Sequence, residues 1–291
     1  MRLWTAAFSL LVIIGLAGCG SFAGAGQTDS SGRAYQALGT ITASATADWA
    51  SIDTGGMRLT NNVWNKVHAS LGPSFQEIFT EDIAGEAAFG WDWEWPMSGD
   101  VVSYPEIVYG TKPWDMGSAA YPTGQALPFQ AGSKSIDATF DIRSQFAGAY
   151  DMAFSLWAVH DPAHPKDTIS HEIMIWNDNE GGTPAGNYHD SLTVDGRDFG
   201  VYLNEDQHDN SGSTNATWTY VAFAPQQSQR VAQQPLLSGH LSLSAFVDYL
   251  VGQNIMTTND YITSVELGNE VLGGTGMIEV RGYSIVIQQE R

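Results

Sequence analysis

The sequence predicts an all-β fold, a β-jelly-roll sandwich of two antiparallel sheets with a concave cleft and one helix. Composition is the first observation: the 291 residues include 31 Gly, 10 Trp, 11 Tyr and 12 Phe, which favours strands and turns over helical bundles. Spacing is the second, because short apolar runs are interrupted by Gly, Pro, Asn or Asp roughly every 8 to 15 residues. The third is that one segment alone stands out by helical periodicity.

The strands are predicted from the alternation of apolar and polar side chains, which is the period of a half-buried strand. Residues 135–144, 217–224 and 283–288 alternate in this way. Residues 192–202 predict a hairpin that turns at Asp195-Gly196, a dipeptide preferred in two-residue turns.

The helix is predicted at residues 244–253. Ser242 or Ser244 is its candidate N-cap, because a serine hydroxyl can accept a hydrogen bond from an unpaired amide of the first turn. Its apolar residues share one face at helical spacing, namely Leu243, Phe246, Val247, Leu250 and Val251.

The first 18 residues predict a lipoprotein signal peptide. A positive start at Arg2 precedes an apolar run at residues 8–16, which is too short to span a bilayer as a mature helix. The run ends in Leu16-Ala17-Gly18-Cys19, which resembles the bacterial lipobox. The resemblance implies cleavage before Cys19 and a lipid on that cysteine. The alternative is an ordinary secretory signal with an incidental cysteine.

Residues 19–50 predict a flexible tether, because they are rich in Gly, Ala, Ser and Thr and lack sustained periodicity. Residues 51–291 then form one domain. We expect an exported cell-envelope lipoprotein, held at the membrane or the cell surface through Cys19. Since Cys19 is the single cysteine, no disulfide is expected.

The charge limits the partners. The chain has 32 acidic and 12 basic residues, a net charge of −20, which disfavours nucleic acid and anionic membrane surfaces. Gly-rich phosphate motifs and a Ser-His-Asp set are not evident, and the acidic segments at 178–181 and 205–209 lack the spacing of a calcium loop. We expect a monomer without cofactor or metal ion.

The decapeptide SHEIMIWNDN, residues 170–179, places a glutamate at the start of an apolar strand. Side chains alternate between the two faces of a strand. Ile173 and Ile175 therefore point to one face, which suits a core between sheets. Glu172, Met174 and Trp176 point to the other, as expected in a cleft lined by large side chains.

Two other acids lie on comparable faces. In residues 149–157, Asp151 lies opposite the apolar face, and we expect the following loop to bring it near Glu172. In residues 261–271, Glu270 shares a face with Gly268, which would leave room for a ligand. Two carboxyl groups across a sugar-sized groove are the apparatus of glycoside hydrolysis; the alternative is a solvated acidic face.

At these residues the chain resembles glycoside hydrolase family 12, the retaining endo-β-1,4-glucanases that include xyloglucan-active members. The Glu-x-Met-x-Trp segment at Glu172–Trp176 is the most specific match. The other matching segments follow in family order: Asn61-Asn62-Val63-Trp64, Trp91–Pro96, Tyr104–Gly110, Ala149-Tyr-Asp151 and Gly268-Asn-Glu270.

The resemblance implies a double displacement in which Glu172 is the nucleophile and Glu270 the general acid/base, with carboxyl groups about 5 to 5.5 Å apart. Asp151 would hydrogen-bond the nucleophile and tune its ionisation. The residues expected to bind a β-glucan are Asn62, Trp64, Trp93, Trp95, Met174 and Trp176. Trp64 would stack on a glucosyl ring, while the alternating tryptophans 91, 93 and 95 form either a sugar platform or sandwich core.

Three segments depart from the family pattern, at His171, Asn177-Asp178 and Val271-Leu272. They bear on the choice among cellulose, mixed-linkage glucan and xyloglucan, which the sequence leaves open. An alternative function is a non-catalytic surface glycan-binding lipoprotein of the same fold. A weaker one is another jelly-roll polysaccharidase, such as a xylanase or a laminarinase, but the Glu-x-Asp-x-x-Glu spacing of laminarinases is lacking.

Overall fold

The computed structural model describes residues 35–70, 72–116, 126–209, 214–225 and 235–289. The predicted signal peptide, Cys19 and the first part of the predicted tether lie outside these residues. Within them the chain forms strands and one α-helix, α1 (Leu243–Gly252). The strands are β1 (Thr40–Ala45), β2 (Ser51–Thr54), β3 (Met57–Thr60), β4 (Phe75–Ile83), β5 (Glu86–Trp95), β6 (Glu106–Gly110), β7 (Phe129–Gln130), β8 (Lys134–Val159), β9 (Ile169–Glu180), β10 (Asn187–Val194), β11 (Arg197–His208), β12 (Thr217–Ala224), β13 (Ser238–Ser242) and β14 (Tyr261–Gln289).

Two long strands, β8 and β14, pair with each other along nearly their whole length. The first half of β8 also pairs with β13, and its second half pairs with β9. Between the halves, Gly148 lies opposite Gly274 with φ values of 146° and 93°. A Cβ on Gly148 would lie 2.3 Å from the Gly273 carbonyl oxygen, so glycine is required where the strands pass each other.

The two halves of β8 fold over each other. Phe140 and Phe154 belong to the same strand, yet their ring centroids are 5.2 Å apart. A straight strand would separate residues 14 positions apart by about 46 Å. The strand therefore doubles back, and its halves contribute to the two facing layers of a jelly-roll sandwich. The main apolar core lies between these layers.

The central strand order is β1-β4-β5-β14-β8-β9-β12-β11-β10. At the other end of β14, strands β6, β3 and β2 extend the sheet. Among the described strand pairs, β9 with β12 is the parallel one and the others are antiparallel. This pair lies at the cleft.

The predicted elements are largely found. Helix α1 begins one residue before the predicted start, and Ser242 occupies the N-cap position without a side-chain capping bond. Asp195 and Gly196 both have positive φ, 50° and 75°, as a primed hairpin turn requires. The segments at 135–144 and 149–157, treated as separate in the sequence, are one strand, β8, because the glycine between them bends the strand without ending it.

The domain begins before residue 51, where the tether was predicted to end. Strand β1 falls in the predicted tether and pairs antiparallel with β4. The amide of Leu38 donates to Glu279 at 2.6 Å, and that of Gly39 donates to Glu81 at 2.8 Å. Backbone hydrogen bonds hold this edge strand, so its small polar side chains give little apolar signal. No helix in the described part of the chain is long and apolar enough to cross a membrane.

Candidate active site

Strand β9 carries Glu172 on the face predicted from alternation. Ile173 and Ile175 are fully buried in the main core. Met174 and Trp176 belong to a separate cluster on the opposite face, which also contains Tyr104 and the β12 residues Tyr220, Ala222 and Ala224. Glu172 is partly exposed between these side chains. The cleft floor is therefore built from the alternate residues of β9 and β12.

The Glu172 carboxyl group accepts a hydrogen bond from an indole. Trp218 Nε1 donates to Glu172 Oε2 at 2.9 Å. Strand β12 runs parallel beside β9 with Tyr220 opposite Glu172, so Trp218, two residues earlier on the same face, reaches the glutamate. Trp157, the cross-strand partner of Glu172 on β8, packs edge-on against Trp218 with centroids 5.5 Å apart, and Trp114 completes an aromatic cluster.

Opposing influences set the ionisation of Glu172. Burial raises its pKa to about 7, and the negative charge of Glu270 acts in the same direction. The Trp218 hydrogen bond and the positive charge of Lys112 lower it, because both favour the ionised form. Glu172 is therefore harder to ionise in the free protein than a glutamate in water.

Lys112, just after β6, lies in a buried ionic cluster beside this site. Its Nζ is 2.8 Å from both carboxyl oxygens of Glu106 and 3.3 Å from Glu266 Oε2. Burial alone would lower the pKa of Lys112, but the two glutamates outweigh it and raise the value above the usual one. Asn62 donates to Glu106 at 2.8 Å, and Ser264 donates to Glu266 at 2.9 Å.

Glu270 and Asp151 are direct cross-strand partners on β14 and β8. Their carboxyl groups are close enough to influence each other's pKa. Burial raises the pKa of Asp151 well above its usual range, and the neighbouring Glu270 raises it further. Burial also raises the pKa of Glu270. Each acid thus holds its proton to higher pH than in water.

Asp151 lies beside Glu270 in the sheet. Its cross-strand partners are Glu270 on β14 and Asn179 on β9, whereas the partner expected from the sequence was Glu172. The register of β8 against β9 decides this, because it sets Trp157 opposite Glu172. Glu270 contributes to the raised pKa of Glu172, so the two glutamates lie within electrostatic range of each other.

The predicted sugar-binding residues fall into two groups. Trp64 is 40% exposed, and its amide donates to the Asn62 side chain at 3.0 Å. Asn62 is buried and bonds Glu106, so it braces this segment from within. Met174 and Trp176 lie on the predicted face, but each is only 2% exposed, so they support the cleft from beneath.

Trp93 and Trp95 belong to the main core, which resolves the alternatives left open by the sequence in favour of core. Trp93 is buried against Tyr150 and lies over Gly276, where a Cβ would be 2.0 Å from its ring. The Trp95 indole donates to Gln76 at 3.1 Å. Alternation places these rings on one face of β5, and the layer packed on that face covers them.

Gly268 also serves a different purpose from the predicted one. A Cβ there would lie 2.8 Å from the Tyr104 ring and from the Pro105 carbonyl oxygen. The missing side chain therefore accommodates Tyr104, which lies in the cleft-floor cluster, and does not itself leave space for a ligand.

Sequence reasoning missed Trp218, Lys112 and Trp49. Lys112 is one of four lysines in the chain and follows a buried strand, which was an available signal. Trp218 lies on the alternating face of residues 217–224, but its approach to Glu172 depends on the pairing of β12. Trp49 is exposed at φ 64°, and its amide donates to Asn61 in the segment that carries Trp64. Within the described residues, no group of three or more His, Cys, Asp or Glu side chains is arranged to hold a metal ion.

Comparison with known proteins places this geometry in context. The model of the family described as Glycosyl hydrolase family 12 matches residues 55–288. Endoglucanase S of Pectobacterium parmentieri is 30% identical over 234 residues, which cover 79% of this chain and 81% of that protein. A probable xyloglucan-specific endo-β-1,4-glucanase A of Aspergillus clavatus is 25% identical over 245 residues, 81% of this chain and 88% of that protein.

Solved structures agree with the sequence comparison. The native family 12 xyloglucanase from Bacillus licheniformis superposes with a TM-score of 0.70 at 26% identity, covering 84% of this chain and 100% of that chain. The Trichoderma harzianum endoglucanase 3 superposes with a TM-score of 0.65 at 19% identity, over 87% of this chain. At 19% identity, the likeness to the Trichoderma harzianum endoglucanase 3 concerns the fold alone.

Proposed function

The chain belongs to glycosyl hydrolase family 12, and we propose that it hydrolyses internal β-1,4-glucosidic bonds of glucans with Glu172 and Glu270 as its reacting pair. The observation that carries the assignment is the pair itself. Glu270 is close enough to raise the pKa of Glu172, and the surroundings of the two glutamates differ: Trp218 and Lys112 favour the ionised form of Glu172, while Glu270 lies beside another acid, Asp151.

The proposed mechanism is a double displacement with retention of anomeric configuration. In the first step the Glu172 carboxylate attacks the anomeric carbon, and Glu270 gives its proton to the leaving glycosidic oxygen as that bond breaks. In the second step Glu270 takes a proton from water, whose oxygen attacks the same carbon and releases Glu172. A nucleophile must be ionised and an acid protonated at the same pH, which requires different environments for the two groups.

Trp64 supports an extended glucan as ligand. An exposed indole offers a flat apolar surface on which the apolar face of a pyranose ring can pack. Trp49 is a second exposed indole, tied through Asn61 to the same segment.

The test is reducing-sugar release from carboxymethylcellulose, mixed-linkage β-glucan and xyloglucan. Wild type should act on at least one of them, and the initial rates rank the three substrates. Glu172→Gln and Glu270→Gln should each lose activity by about a thousandfold or more. NMR of the first products should show the β-anomer. A wild type inert on all three glucans, or a glutamine variant with full activity, would contradict the proposal.

The glycan-binding alternative is not favoured, since binding by itself does not require two interacting carboxyl groups beside a cleft. It makes a distinct prediction in the same experiment. A binding protein would retain all three glucans in affinity electrophoresis while releasing no reducing ends.

We also propose that Cys19 is lipidated and anchors the enzyme in the cell envelope. The support is the apolar run at residues 8–16 followed by Leu16-Ala17-Gly18-Cys19. Labelled palmitate should enter the wild-type protein, whereas Cys19→Ser should take up no label and leave the membrane fraction. Equal fractionation of both proteins without labelling would indicate an ordinary secretory signal.

A further inference from the structure

Asp151 and Glu270 form an acid pair that makes no ion pair with a basic side chain in the described part of the chain. They face each other across β8 and β14, and the two carboxyl groups influence each other's pKa. Lys112 forms its ion pairs with Glu106 and Glu266 instead. Two neighbouring buried carboxyl groups without a cation do not readily ionise together, because their like charges repel and burial disfavours both charges.

Burial decides which acid keeps its proton. Asp151 is 1% exposed, and its Oδ1 is buried without a hydrogen-bond partner. Glu270 is partly exposed at the cleft. A carboxylate with an unpaired buried oxygen is costlier than the neutral acid, so the proton stays on Asp151. Burial raises the pKa of both acids, and it raises that of the more deeply buried Asp151 well above its usual range.

The other titratable groups around this pair do not supply a cation. Glu172 on β9 is an acid, and the remaining neighbours are tyrosines on three different parts of the fold. Burial is the main cause that raises the pKa of each tyrosine, so they are neutral in the working range. They are Tyr104 before β6, Tyr150 on β8 and Tyr220 on β12.

We propose that Asp151 is a positioning residue for Glu270, not for Glu172: it stays protonated and donates a hydrogen bond to the Glu270 carboxyl group. The inference rests on the proposed function. In the first step the Glu270 proton goes to the leaving oxygen, and the O–H of Asp151 stabilises the carboxylate that remains. In the second step the proton from water returns to Glu270. The proton of Asp151 never leaves, so each step is balanced by Glu270 alone.

Two variants separate a neutral donor from a charged neighbour. Asp151→Leu removes the hydrogen bond at similar volume, and Asp151→Asn keeps a donor but cannot ionise. The pH dependence of kcat/KM is measured on phenyl and dinitrophenyl β-cellotriosides. The phenyl leaving group needs a proton from Glu270, whereas the dinitrophenyl group leaves without one.

Asp151→Leu should lower kcat/KM about 10- to 100-fold on the phenyl substrate, the range of one hydrogen bond to a charged group. It should change the dinitrophenyl value less than about threefold. The basic limb of the variant's kcat/KM profile should move to higher pH, because Glu270 loses the hydrogen bond from Asp151, which favours its ionised form. Asp151→Asn should keep both the wild-type rates within about threefold and the position of the basic limb.

Infrared spectroscopy gives a readout independent of catalysis and of the leucine variant's folding. At pH 8 the wild type should show the carbonyl band of a protonated carboxylic acid that Asp151→Asn lacks. Absence of this band overturns the proposal, as does a basic limb that Asp151→Asn moves to lower pH. If Asp151→Leu lowers kcat/KM equally on both substrates, or shifts only the acid limb of the pH profile, Asp151 acts on Glu172 and the proposal is overturned. A wild type inert on both substrates overturns the proposed function, while the infrared band still tests the proton on Asp151.

Discussion

The indole of Trp218 donates a hydrogen bond to Glu172 at 2.9 Å, although the two residues are 46 positions apart in the chain. The bond favours the carboxylate, since an N–H donor stabilises the charged form of its acceptor. It opposes burial, which raises the pKa of Glu172 to about 7. The ionisation of Glu172, the proposed nucleophile, thus depends on a strand that follows it in sequence.

Trp218→Phe should move the acid limb of the kcat/KM profile to higher pH by about one unit. The sign follows from the requirement that Glu172 be ionised: without the hydrogen bond its pKa rises, and protonation inactivates the enzyme at higher pH. Trp114→Phe is the control, because Trp114 packs edge-on against Trp218 at 6.3 Å between centroids. A shift of the same size in both variants would attribute the effect to the cluster and not to the bond.

Lys112→Met should destabilise the protein by about 3 kcal/mol or more, because it leaves two buried glutamates without their cation. Lys112 is 13% exposed in its ion pairs with Glu106 and Glu266. Urea unfolding at pH 7 measures the change. Lys66→Met is the matched control, since Lys66 pairs with Asp48 at the surface, and its loss should cost under about 1 kcal/mol. Equal losses in the two variants would contradict the buried role of Lys112.

Trp64→Ala should raise KM for the preferred glucan about tenfold with little change in kcat, as expected for a residue that binds substrate and transition state equally. Its 40% exposure makes a folding defect small. Val67, in the adjoining 3₁₀ turn, is 88% exposed, and Val67→Ala should leave KM unchanged. An unchanged KM in Trp64→Ala would remove Trp64 from the binding surface.

Glu172→Gln should stabilise the protein at pH 8 and have no effect near pH 4. The pKa of Glu172 is raised to about 7 from 4.5. Its contribution to stability is therefore complete below pH 4.5 and is lost as the pH rises through 7, by about 1 to 3 kcal/mol. Glutamine cannot ionise and avoids this loss. Thermal unfolding from pH 4 to pH 8 measures it.

Glu86→Gln controls for the removal of one negative charge from an acidic chain, since Glu86 is exposed at the start of β5. It should not reproduce the difference between pH 4 and pH 8. If Glu172→Gln and Glu86→Gln change stability in parallel across this range, the burial of Glu172 does not govern the effect.

Much of the fold was predictable because strand faces are a local property. Alternation alone assigned Ile173 and Ile175 to the core and Met174 and Trp176 to the opposite face, as found. The hairpin at Asp195-Gly196 and helix α1 were equally local, since they depend on positive φ and on one apolar stripe. The edge strand β1 escaped prediction because backbone hydrogen bonds, not apolar side chains, hold it.

The same alternation does not say what covers a face. Trp93 and Trp95 share a face suited to a sugar platform, yet the sandwich packs its core against it. Gly268 offered space in the sequence, and Tyr104 fills that space in the structure. Both outcomes depend on residues distant in sequence.

Local alternation was enough to place Glu172 and Glu270 on strand faces opposite the core, because the side-chain period of two operates within each strand. The tertiary structure alone decided their neighbours. The parallel pairing of β9 with β12 brings Trp218 to Glu172, and the register of β8 against β14 gives Asp151 to Glu270. Strand pairing and register arise from the summed packing of the whole sandwich, and a one-residue slip would turn each side chain to the other face.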